Sequence, residues 1–67
     1  MQAEVELAQR VENGEREKYE RGDSTLLAVN LREQQTQEAR LRAIDAALDL
    51  LRAEADLRAA MAEPLAN

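Results

Sequence analysis

The 67-residue chain has no cysteine and no histidine, one proline, two glycines and a single aromatic residue, Tyr19. Without thiols there is no disulfide framework, and without thiols or imidazoles the usual zinc ligand sets are missing. The redox compartment is therefore unreadable from cysteine usage. With Phe and Trp absent, the apolar residues other than Tyr19 are Ala, Leu, Val, Ile and Met, a thin supply for a globule and a better one for helix against helix. At this length a single core is only marginally stable, and with no internal staple a partner is the expected remedy. No apolar run approaches the roughly 18 to 20 residues that a membrane-spanning helix needs. Met1 is followed by Gln-Ala-Glu-Val-Glu rather than a basic and then apolar segment, so no secretory leader is read here. That pattern fits a cytosolic protein or an internal piece of a longer one.

What is present is charge and helix-forming residues. The 14 acidic and 9 basic residues are interleaved and give a net charge of -5. This balance argues against a nucleic-acid or anionic-membrane surface, both of which demand a basic face.

The periodicity predicts an all-α antiparallel helical hairpin with a long second helix and coiled-coil-like packing. A first helix is expected over about 3–20, with Val5, Ala8 and Val11 spaced by three on one face and Gly14 as a local weakness. Gly22 is the stop, because glycine best fits the left-handed position after a helix end, and Lys18 and Arg21 in the last turn suit the helix dipole. After a turn over 21–24, Asp23, Ser24 or Thr25 caps the second helix. That helix is expected over about 25–62, ending at Pro64 with a tail at 63–67. At 1.5 Å per residue it is a rod of roughly 57 Å.

Two apolar seams run along the second helix at alternating spacings of three and four. The first is Ala39, Ala43, Ala46, Leu50, Ala53, Leu57 and Ala60; the second is Leu41, Ile44, Leu48, Leu51, Ala55 and Ala62, interrupted by Arg58. They lie roughly 150° apart at 3.5 residues per turn, so the helix is built for partners on two nearly opposite sides. The stretch Arg32 to Gln37 is more polar, and there the packing should loosen or meet a polar partner. Glu12–Arg16, Glu17–Arg21, Glu38–Arg42 and Glu54–Arg58 each place Glu four residues before Arg, the order that supports a helix.

These charges read as solvated faces rather than as a catalytic pair, which would need a concave site and shifted pKa values. No catalytic, cofactor-binding or metal-ligating residue is expected. Gly22 alone is not a phosphate loop, and Arg21-Gly22-Asp23 reads as a turn rather than an adhesion motif. Tyr19 covers the hairpin end or, as the lesser alternative, anchors an interface.

The segment Tyr19 to Gln34, with its aromatic, two residues and glycine, small polar residues and apolar run to Val29-Asn30, resembles the repeat signature of TolC-type outer-membrane efflux proteins. The likeness extends through Glu38-Ala39, Ala46-Ala47 and Leu57-Arg58-Ala59-Ala60. It implies the periplasmic portion of a trimeric outer-membrane duct, whose tip hairpin gates the entrance and contacts a membrane-fusion adaptor. Tyr19, Gly22, Asp23, Ser24 and Thr25 would be that tip. Many members carry acids six and nine residues after the turn glycine; here the positions are Ala28 and Leu31. The β-strand segments of that family are absent, so the chain reads as a tip hairpin cut from a larger protein. The alternative is a free-standing acidic hairpin that works as an assembly or interaction module.

Unequal helix lengths carry a further expectation. Folded back from the turn, the first helix covers about half of the second, which leaves Ile44, Leu48, Leu50, Leu51, Leu57 and Met61 facing water. Self-association through that half is expected, most simply as an antiparallel dimer of hairpins.

Overall fold

The computed structural model describes the backbone of residues 2–66 and the side chains of residues 2–62. Helix α1 spans Gln2–Glu20 and helix α2 spans Leu26–Ala66. They pack against each other as an antiparallel hairpin, the all-α architecture expected from the periodicity. The molecule measures 69 × 17 × 9 Å, with a radius of gyration of 19.8 Å. A compact chain of this length would have a radius of gyration near 11 Å, so the long dimension is a rod, set by α2, that α1 covers only in part.

The packing of α1 on α2 follows a 3.5-residue repeat. On α1 the partly covered positions are Val5, Ala8, Glu12 and Glu15, spaced three, four and three, with Gly14 and Arg16 beside them. On α2 they are Val29, Arg32, Thr36, Ala39, Ala43 and Ala46, the first seam extended toward the turn, with Ala28 beside them. Among the described residues three are nearly sealed: Thr36 at 1% exposed, Ala39 at 2% and Val29 at 4%. Small side chains here let the helix backbones approach closely, and a close approach between short side chains buries little area.

The structure revises two details of the expected pattern. Val11 is exposed, and Glu12 takes the facing position. Successive steps of three drift around a helix, whereas a seam facing a partner must alternate three and four. At the far end, α2 runs to Ala66 instead of closing near Ala62. Pro64 fixes φ near the helical value but forfeits one hydrogen bond, and α2 continues two residues beyond it. The expected tail is thus helical to residue 66, and Asn67 lies outside the described residues.

Candidate functional site

The turn is built by backbone hydrogen bonds around one left-handed residue. Gly22 has φ of +83° and is the lone positive-φ residue among those described. Its N–H donates to the Tyr19 carbonyl at 3.0 Å, and the Asp23 N–H donates to the Lys18 carbonyl at 2.7 Å. This pair of bonds is the Schellman arrangement, which satisfies carbonyls that the end of α1 would otherwise leave open.

Of the three candidate caps, Thr25 is the one used. The Ala28 N–H donates to Thr25 Oγ1 at 3.1 Å, while the Val29 N–H reaches the Thr25 carbonyl at 3.1 Å and starts α2. Ser24 turns inward and donates from Oγ to Glu15 Oε2 at 2.6 Å. Asp23 meets Arg21 across the exposed turn at 3.7 Å. Tyr19 is exposed, its carbonyl being part of the turn. The five expected tip residues are therefore contiguous at one end of the rod, with structural duties for Gly22, Ser24 and Thr25.

Behind the turn, the polar stretch of α2 meets polar residues of α1. Glu15 accepts from Ser24 through one oxygen and from Arg32 Nε at 3.3 Å through the other, tying α1 to both the turn and α2. Arg16 is shared between Glu12 on its own helix and Glu33 on α2, both at 2.9 Å. Arg42 reaches Glu4 across the hairpin at 3.6 Å rather than Glu38 on its own helix. Of the four expected intrahelical pairs, Glu12–Arg16 is the one that forms among the described residues. Arg42 finds an acid across the interface, and the other exposed pairs gain too little in water to fix two long side chains.

Two carboxylates respond to this bracing. Hydrogen bonding from the Thr36 hydroxyl, then from Arg16, holds the Glu12 carboxyl below its ordinary value, against desolvation pushing it up. The Thr36 hydroxyl has a single proton and also faces the Arg32 carbonyl at 3.1 Å, so it serves one acceptor at a time. Ser24 first, then Arg32, holds Glu15 down in the same way, again against desolvation. Arg16 is raised by Glu12 and then Glu33. Both carboxyls move away from neutrality, opposite to the upward shift that places a general acid or base near pH 7.

A pH prediction follows from those directions. A carboxyl whose folded pKa is depressed adds stability above its unfolded value and loses it as pH falls through the folded value. The hairpin should therefore lose the Glu12 and Glu15 contribution below the ordinary value of 4.5. Melting of the chain and of a Glu12→Gln/Glu15→Gln variant should differ clearly near neutrality, and the difference should shrink at acid pH. A constant difference across that range would remove the cross-bracing role.

The remaining exposed feature is α2 itself. Its first seam is covered by α1 only as far as Ala46; past that point every described side chain is exposed. Leu48, Leu50, Leu51, Leu57 and Met61 are 44–67% exposed, and Ile44 stands open on the opposite face at 55%. All six residues expected to face water are thus accessible. Leu41, at 59%, belongs with them and lies one turn before the stretch the length argument singled out. Alongside the hairpin, Leu7, Ala8 and Val11 of α1 and Gln35, Ala39 and Arg42 of α2 line an open groove of about 380 Å³. Among the described residues no group of three or more His, Cys, Asp or Glu is arranged to hold a metal ion. No helix among them is long and apolar enough to cross a membrane. Comparison with protein-family models, with curated proteins and with solved structures finds no match to this chain.

Proposed function

We propose that the chain is a helical assembly element: a braced hairpin that presents a long helix for docking against other helices. One observation carries this reading. The 19 residues of α1 cover α2 only to Ala46, and the 41-residue α2 continues with large apolar side chains in water. The accessible surface is 5521 Å², against roughly 4,200 Å² for a compact monomer of this mass. Burying a Leu, Ile or Met is worth about 1.5–3 kcal/mol, so several such residues supply a drive to associate that exceeds the ordering cost.

Association stabilises a fold by mass action, so the melting midpoint should rise with protein concentration. Helix content followed by circular dichroism at increasing micromolar concentrations provides the test. A midpoint independent of concentration, with full helicity at the lowest, would contradict the assembly reading.

The resemblance of Tyr19 to Gln34 to the TolC-type signature supplies a more specific second reading. In it the hairpin is the periplasmic tip of a trimeric efflux duct, the two seams of α2 pack neighbouring wall helices, and the turn meets an adaptor. The features that favour it are the compact turn at the rod's end and the two-sided apolar pattern of α2. It is tested on the encoding reading frame: a parent of several hundred residues with β-strand segments supports the duct, and a short complete gene overturns it.

A further inference from the structure

Leu41, Ile44, Leu48 and Leu51 form an apolar row on the side of α2 away from α1, each of them 44–60% exposed. The same face carries Gln34 and Gln37 before the row and Arg58 after it, so the row is bounded at both ends. Its spacing of three, four and three reads the same in both directions. Resting on the docking role of α2 proposed above, we infer that this row pairs with the same row of a second copy. The two α2 helices run antiparallel about a two-fold axis between Ile44 and Leu48, with Asp45 and Ala47 to either side. Leu41 then layers on Leu51 of the other copy and Ile44 on Leu48, each layer occurring twice.

Charge complementarity selects this occupant and this register. Residues flanking the layers on one side are Arg40 and Glu54, and on the other Glu38 and Arg52. In the antiparallel pair, Arg40 of each copy comes against Glu54 of the other, and Glu38 against Arg52, which makes four attractive contacts. Among the described residues neither Arg40 nor Glu54 makes an ion pair within the hairpin, Arg40 acting on Glu12 only as a more distant charge, and Arg52 meets the exposed Asp49 at 3.9 Å. The like-charge contact is Asp45 with its own counterpart near the axis.

Competing arrangements are worse matched. A slip of one heptad sets Leu41 against Arg58 or Leu51 against Gln34. A parallel pair would match Arg40 with Asp45 but oppose Glu33 to Glu38. The open part of the first seam, Leu50 and Leu57 around Ala53, is flanked by Asp49, Glu54 and Asp56. Two copies joined antiparallel there would bring Glu54 and Asp56 against their own counterparts. Because the two seams lie about 150° apart, docking on the second leaves α1 in place on the first. The result is a four-helix layer in the order α1, α2, α2, α1.

Cysteine substitution reads the register directly. Ala47→Cys places a thiol beside its own copy at the axis, so mild oxidation of the full chain should give a disulfide-linked species of twice 7.5 kDa. Ala53→Cys, on the first seam, should not cross-link. Arg40→Glu should raise the dimer dissociation constant about tenfold by losing two pairs and gaining repulsion, and Arg40→Glu/Glu54→Arg should restore it. Asp45→Asn should tighten the dimer. An assembly of higher mass whose Ala47→Cys form does not cross-link, or whose charge swap does not restore association, overturns this register and leaves the docking role of α2 standing. A fully helical monomer throughout the micromolar range overturns both.

Discussion

Replacing Ala39 with leucine is expected to pry α1 away from α2. Ala39 is 2% exposed in the middle of the seam, flanked by Thr36 at 1% on the preceding turn. The helices are close because their facing residues are small, so three additional carbons must either part the backbones or turn out into the open groove that Ala39 also lines. Overpacking a close contact costs about 1–3 kcal/mol. A chain of this length has a total stability of only roughly 3–10 kcal/mol, so the loss is a large fraction of it. Backbone amides of α1 should exchange with solvent faster in Ala39→Leu, while the control Ala59→Leu, at an exposed position, should leave exchange and melting unchanged. Equal exchange of α1 in the two variants would show that the helices are not held by close approach at the first seam.

The second large effect is expected at the turn. Gly22 sits at φ of +83°, a conformation that side chains with L chirality adopt at a penalty. A Cβ added there would meet no atom within 4 Å, so the penalty is one of backbone geometry alone. Alanine should cost on the order of 1 kcal/mol and valine, whose branched side chain resists this region most, about 1–2 kcal/mol. Asparagine should be milder than either. D-alanine, with the opposite backbone preference, should restore the native melting temperature. If alanine, valine and D-alanine at this position melt alike, the left-handed turn does not stabilise the hairpin.

Much of this architecture was legible in the residues because it depends on local rules. Gly22 after a basic last turn marks the end of α1, and the small polar residues that follow mark the start of α2. Apolar residues at alternating three and four in the second helix define both seams, and the first is where α1 lies as far as Ala46. The polar stretch from Arg32 to Gln37 was expected to loosen or to meet a polar partner. It meets one, in Glu12, Glu15 and Arg16. The sequence did not reveal that those residues would face inward. A hydrophobic pattern points to Val11, and an acid enters an interface only when the opposite helix supplies the donors, which is a tertiary fact. The same holds for Arg42, whose pairing with Glu4 depends on the hairpin register rather than on i, i+4 spacing. Pro64 does not mark the end of α2, because its fixed φ is itself close to the helical value and the cost is one hydrogen bond near the helix terminus. The tip residues were legible as a turn, whereas Ser24 bonding to Glu15 rather than capping α2 required the fold.

The docking role of α2 is the centre of the account, and the mass of the full chain in solution tests it most directly. Sedimentation equilibrium across the micromolar range should give a concentration-dependent mass above the 7.5 kDa of one chain, approaching a dimer. Leu48→Glu/Leu51→Glu should return it to 7.5 kDa and lower its helicity at the same time. A mass of 7.5 kDa at every concentration, with the helicity of the intact hairpin, would contradict the account.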